Sequence, residues 1–116
     1  MRKYLIFRTD RVGDFLFTLK IVKIIKSNNQ NSEITIVCSE YNQDYIKSFN
    51  DIDKIITLKN NFFSKIKLIF FLRKKKYDSV IVHDGKNRSK FISFFLEYEK
   101  RTICITDLIN TQIDII

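Results

Sequence analysis

Apolar and polar positions alternate along this chain in blocks, first short and continuous, then long and periodic. "KYLIF" (residues 3–7) is a short apolar run, the pattern of a strand covered on both faces of a sheet. "DFLFTLKIVKIIKS" (14–27) follows with helical spacing. Phe15, Leu19, Val22 and Ile25 or Lys26 fall on one side, and Lys20, Lys23 and Lys26 line the other. A polar turn at 27–32 leads into the β-branched run "EITIVC" (33–38), a second strand. Residues 40–48 suit a short helix, and "DKIITL" (53–58) a third strand. The next helix covers 61–76, with Phe62, Ile66, Ile69 and Phe70 on a common face. It ends in Arg73, Lys74, Lys75 and Lys76, cations suited to the negative end of its dipole. "DSVIVH" (78–83) is a fourth strand, "DGKNR" a turn, "SKFISFFLEY" a helix and "KRTICIT" (100–106) a fifth strand. The pattern of the tail "DLINTQIDII" is ambiguous.

This alternation predicts an α/β fold, a Rossmann-like doubly wound parallel sheet of about five strands with helices on both faces. A length of 116 residues gives one domain, residues 1–116, with enough chain for a packed core. The chain closes on Ile115 and Ile116 soon after the fifth strand, so the expectation is the front part of a larger, incomplete domain. A hydrophobic fraction of 45% excludes a disordered chain.

Charge narrows the partners without choosing one. The net charge is +8, from 21 Lys+Arg against 13 Asp+Glu. A surface this basic favours phosphorylated small molecules, anionic lipid or nucleic acid. Cys38 and Cys104 form no CxxC motif and no metal-ligand spacing, and each sits in an apolar strand-like segment. They read as buried thiols in a reducing compartment. The start of the chain has no secretory pattern, and no apolar run approaches the roughly 20 residues of a membrane span. The expected location is the cytoplasm, with peripheral contact at the inner membrane left open.

Candidate chemistry collects in two loops. In a sheet of order 3-2-1-4-5, strands 1 and 4 are neighbours where the strand order reverses, and ligands bind beyond their carboxyl ends. The loops that follow those strands are "RTDRVG" (8–13), running into Asp14, and "HDGKNR" (83–88). They hold both glycines of the chain, Gly13 and Gly85, and its single histidine, His83. Gly13 permits close approach to the backbone. The helix start behind it offers free N–H groups, and Arg8 and Arg11 offer guanidinium donors for phosphate or carboxylate. The loop is neither GxGxxG nor GxxxxGK[ST], so no dinucleotide or ATP site is implied. Asp14 has two readings, a helix-start carboxylate favoured by the dipole or a general base that deprotonates an acceptor hydroxyl. Position alone favours the first. Asp10 reads as a turn former. His83 and Asp84 suit acid–base or sugar-binding roles, or a hydrogen-bonded strand end. Lys86 and Arg88 suit phosphate contacts or plain solvated charge. One histidine without further ligands implies no metal.

"YLIFRTDRVGDFLFTLKIVKIIK" resembles the N-terminal signature of glycosyltransferase family 9, the lipopolysaccharide heptosyltransferases. "KYDSVIVHDGKNRSKFISFF" resembles the same family's later pattern, in which a Tyr-Asp-led strand runs into a glycine loop, Arg-Ser and a helix. The resemblance covers the first and fourth strand–helix units. It implies the acceptor-side half of a GT-B fold, whose nucleotide-sugar domain lies outside these 116 residues. It implies transfer of heptose from an ADP-activated donor to a lipopolysaccharide inner-core acceptor, with no metal and no cofactor beyond that donor. The family's catalytic base falls on Asp14. Arg8, Arg11, Gly13, His83, Gly85, Lys86 and Arg88 are then the acceptor or phosphate-binding set. Asp84 stands where the family often carries glutamine. Without a donor domain, the isolated chain is expected to be inactive. The alternative is a non-catalytic Rossmann-like module for phosphorylated ligands. Nucleic-acid binding ranks below both, because most phenylalanines read as core-facing.

Overall fold

The structure, a computed structural model, describes residues 2–10, 13–59 and 61–103. Among these, five strands alternate with four helices. They are β1 (Arg2–Arg8), α1 (Phe15–Asn28), β2 (Ser32–Ser39), α2 (Gln43–Ile46) and β3 (Lys54–Leu58), then α3 (Phe62–Arg73), β4 (Lys76–Val82), α4 (Asn87–Phe94) and β5 (Glu97–Ile103). The sheet is parallel throughout, in the order β3-β2-β1-β4-β5. This is the doubly wound α/β fold that the alternating pattern predicts. The strand order reverses between β1 and β4, as expected.

The period-2 geometry of a strand sends successive side chains to opposite faces. Along β1, Tyr4 and Ile6 join one core with Phe15, Ile21, Val22 and Ile25 of α1 and Ile46 of α2. Leu5 and Phe7 join the other, with Leu68, Ile69 and Leu72 of α3 and Ile92 of α4. β1 is therefore apolar at consecutive positions because both its faces are covered. Cys38 lies buried in β2, where burial pushes its thiol pKa up. Cys104, Ile115, Ile116 and the tail lie outside the described residues.

α1 turns the expected Phe15, Val22 and Ile25 into the core with Leu19 packed against it, and buries Thr18 and Ile21 besides. Two local expectations are corrected. α3 buries Leu68, Ile69 and Leu72, while Phe62 and Phe70 are 69% and 63% exposed. Apolar residues surround α3, so spacing could not choose its inward face; the sheet chose it. β5 starts at Glu97 rather than at 100, because Lys76 of β4 pairs with Glu97 and Tyr77 with Tyr98. Its first residues are charged, as suits an edge strand. No helix of the described residues is long and apolar enough to cross a membrane.

Candidate functional site

Pairing of β1 with β4 ends at Phe7 and Val82. Beyond it the Phe7 carbonyl accepts both the His83 and the Asp84 N–H, at 3.2 Å each. The two loops diverge from this point, and side chains then tie them together. The Asp84 Oδ2 atom accepts the Thr9 N–H (3.0 Å), the Thr9 hydroxyl and the Ser89 hydroxyl (2.8 Å). Its Oδ1 atom accepts the Lys86 N–H at 3.1 Å. Arg88 crosses back, donating Nη2 to the Thr9 carbonyl at 2.7 Å and Nε to the Thr9 hydroxyl at 3.2 Å. Gly85 makes the turn between Asp84 and Lys86 with φ 63°, a conformation that favours glycine. A third loop is fixed by Asn42, fully buried, whose Nδ2 donates to the Arg8 and Asp10 carbonyls at 2.9 and 3.2 Å.

Arg8 has its guanidinium turned inward. Nε donates to the Thr18 hydroxyl (2.8 Å), Nη1 to both Asp10 oxygens (3.0 and 2.9 Å) and Nη2 to the His83 carbonyl (2.9 Å). Asp10, expected to shape the turn, is thus the ion-pair partner of a buried arginine. His83 is also buried, with Nδ1 2.6 Å from the Thr18 hydroxyl. Thr18 already accepts from Arg8, so its own proton is free to go to His83 Nδ1. That leaves the imidazole proton on Nε2, which has no hydrogen-bond partner among the described residues. Burial, and then the Arg8 charge, push the His83 pKa down to about 3. The ring is therefore neutral near pH 7.

This depression has a stability consequence. Unfolding releases His83 to its ordinary value of 6.5, so the unfolded chain binds its proton first as pH falls. His83 then costs stability progressively from pH 6.5 down to about 3, by up to about 1.4 kcal/mol per pH unit. His83→Gln, which cannot titrate, removes this slope. Urea midpoints measured between those pH values check it; equal pH dependence in wild type and variant would contradict it.

Of the other expected residues, Gly13, Asp14, Lys86 and Arg88 lie at the surface or on a pocket wall. Asp14 begins α1 without a side-chain capping bond, at φ −70° and ψ −21°. Its carboxylate is partly exposed and has no hydrogen-bond or ion-pair partner among the described residues. A Cβ at Gly13 would meet nothing within 4 Å, so the space in front of that backbone is open. Arg11 lies outside the described residues. Lys86 and Arg88 line a pocket of about 550 Å³ with Thr9, Asp10, Tyr41 and Asn87. Gly13 and Asp14 are not among its lining residues. A smaller hollow of about 160 Å³ shares Tyr41 and Arg88 and extends toward Ser39, Glu40 and Leu58.

Thr9, Asn42, Tyr41, Asn87 and Ser89 escaped the sequence reading. Tyr41 is the clearest omission, because the residue lines the pocket and is 87% exposed. A tyrosine in a short polar segment after a strand was the available signal. Chemically, the pocket offers cationic and amide donors, one carboxylate acceptor and an aromatic face. That set matches a polar, anionic ligand that carries a ring.

No model of a protein family matches the chain, and no curated protein matches it. Solved structures do. The chain superposes on a glycosyl transferase family 9 protein from Veillonella parvula with a TM-score of 0.81 at 15% identity, over 98% of this chain and 40% of that one. It superposes on E. coli heptosyltransferase WaaC with ADP at a TM-score of 0.73 and 20% identity, over 86% of this chain and 34% of that one. For E. coli ADP-heptose lps heptosyltransferase II the values are 0.74 and 18%, over 89% and 30%. These likenesses show a shared fold. The chain spans 30–40% of the length of these proteins.

Proposed function

We propose that this chain is the acceptor-side domain of a heptosyltransferase-like glycosyltransferase. The donor in this reading is ADP-heptose, bound mainly by a second domain outside the 116 residues. The acceptor is a lipopolysaccharide inner-core sugar. The observation that carries the proposal is the open pocket at the β1–β4 switch point, built from two side-chain-tied loops. Its support is a fold shared with three glycosyltransferase structures, one of them WaaC with ADP.

In this reading the roles of Lys86, Arg88 and Tyr41 are supported by their place in the pocket lining, and that of Asp14 by the family resemblance. Lys86, and the N–H groups that open α4, face an acceptor phosphate or carboxylate. Arg88 stands at the pocket wall, held by Thr9. Tyr41 stacks on a sugar ring. Asp14 takes the proton of the attacking hydroxyl as the new glycosidic bond forms and ADP departs. Arg8 and neutral His83 position the β1 loop from beneath and touch no ligand.

Titration calorimetry of the chain with a deacylated inner-core oligosaccharide and, separately, with ADP-heptose tests this division. The oligosaccharide binds, and Tyr41→Ala weakens it about tenfold, the worth of one aromatic contact. ADP-heptose binds at least about a hundredfold more weakly than to a two-domain enzyme, because the nucleotide contacts lie elsewhere. Tight ADP-heptose binding with no oligosaccharide binding would overturn the assignment. Binding of simple phosphorylated ligands alone would favour the non-catalytic module.

A further inference from the structure

The outer surface of the α3–α4 layer is apolar where a soluble surface should be polar. α3 turns Leu68, Ile69 and Leu72 to the sheet, yet Phe62, Phe63, Phe70 and Phe71 stand 69%, 77%, 63% and 49% exposed. α4 buries Ser89, Ile92 and Ser93, and leaves Phe91, Phe94 and Phe95 at 49%, 65% and 39%. Small polar residues point inward and large aromatics outward, the reverse of an ordinary surface helix. A groove of about 190 Å³ lined by Ile66, Ile69, Phe70, Arg73, Phe91 and Phe95 joins the two helices into one patch. The earlier expectation that most phenylalanines face the core is thereby corrected. Eight of the eleven are exposed, seven of them on α3 and α4 or at the end of α4, because those two helices carry more apolar residues than one sheet face can cover.

We infer that this α3–α4 face docks on an anionic lipid bilayer. Contiguous exposed apolar area of this kind marks an interaction surface. The charge around it selects the partner. No carboxylate occurs between Asp53 and Asp78, or between Asp84 and Glu97, while Lys65, Lys67, Arg73, Lys74, Lys75, Lys76 and Lys90 do. Lys67 lies between Phe63 and Phe70 on the outward side of α3, and Lys75 Nζ sits 5.2 Å from the centre of the Phe71 ring. Aromatic side chains at headgroup depth, flanked by cations, are what binds a negative membrane surface. A second copy of this chain would bring like charges face to face. A nucleic acid needs separate ring faces for its bases. Here Phe62 meets Phe63 at 6.3 Å, and Phe95 meets Phe91 and Phe94 at 5.1 and 5.3 Å, all edge-on, so the rings pack on one another.

The inference deepens the proposed function by giving a lipid-borne acceptor its membrane, but rests on no role for Asp14. α4 links the two surfaces, with Lys86 and Arg88 at its pocket end and Phe91 and Phe94 on its outward side. The test is co-sedimentation of the chain with mixed phosphatidylglycerol–phosphatidylcholine vesicles and with phosphatidylcholine alone. The chain sediments with the anionic vesicles, and raised salt releases much of it. Phe63→Ser with Phe70→Ser and Phe91→Ser lowers partitioning at least about tenfold, as the loss of three inserted rings requires. Lys67→Glu with Arg73→Glu does the same through charge alone and alters only exposed side chains, so it decides the matter if the serine variant fails to fold. No anionic preference, sedimentation unchanged in a folded variant, or a face that binds a second copy or RNA instead of vesicles would overturn it. Vesicle binding without oligosaccharide binding would remove the acceptor reading and leave the membrane face standing.

Discussion

On the proposed function, Asp14→Asn in a glycosyltransferase containing this domain lowers turnover by about two to four powers of ten, the range for loss of a general base. The fold is unaffected. The turnover half rests on the proposed function, and the stability half on the bonds Asp14 does not make among the described residues. It begins α1 but makes no capping bond, and the first backbone bonds of the helix run to the Gly13 and Asp14 carbonyls without help from its side chain. It has no partner among the described residues, unlike Asp10 and Asp84 beside it in the two loops. A carboxylate used for structure would resemble those two. An isosteric amide keeps the shape but removes the charge and the basic oxygen, and the lost charge–dipole interaction is worth only about 0.3–1 kcal/mol. The readouts are steady-state turnover and the urea midpoint of the same preparation. Near-wild-type turnover would remove the base assignment. A midpoint lowered by more than about 1 kcal/mol would return Asp14 to the capping reading.

The same contrast explains what was legible beforehand. The succession of strands and helices follows from short apolar runs separated by polar turns, and β1, β2 and β4 carry that signal strongly. The order of strands in the sheet does not follow from the runs and rests on an assumed doubly wound topology, which the sheet has. The roles inside the loops do not follow. Arg8 and Arg88 look alike in sequence, yet Arg8 is buried on internal acceptors and Arg88 borders the pocket. Arg8 leaves the end of β1 toward Thr18 of α1, whereas Arg88 reaches back from the first turn of α4 to Thr9, placements that only the folded chain fixes. Thr9 and Asn42 reach partners 32 or more residues away, and Ser89 acts through a hydroxyl bond to Asp84 five residues before it. No local pattern marks them. The outward phenylalanines were hidden for the opposite reason: apolar periodicity around α3 and α4 fits any face equally well.

Arg8→Met destabilises the chain by about 3–5 kcal/mol, near the lower end, because a buried ion pair loses one partner and keeps the other. Asp10 has a side chain 16% exposed against 6% for Arg8, so water recovers part of the loss at the carboxylate. The Thr18 hydroxyl and the His83 carbonyl lose donors without that relief. Arg8→Lys recovers only part of the stability, since one ammonium cannot reach Thr18, Asp10 and His83 in three directions as the planar fork does. The methionine variant also removes the charge that, after burial, helps to depress the His83 pKa from 6.5 to about 3. The folded pKa of His83 therefore rises toward its unfolded value, and the acid limb of stability becomes shallower although stability at pH 7 has fallen. Two effects of opposite sign from one substitution separate a positioning network from plain core packing. Urea midpoints across the acid range, with the His83 ring followed by NMR, resolve them. A loss below about 1 kcal/mol, or an unchanged His83 titration, would show that Arg8 is not the clasp between the two loops.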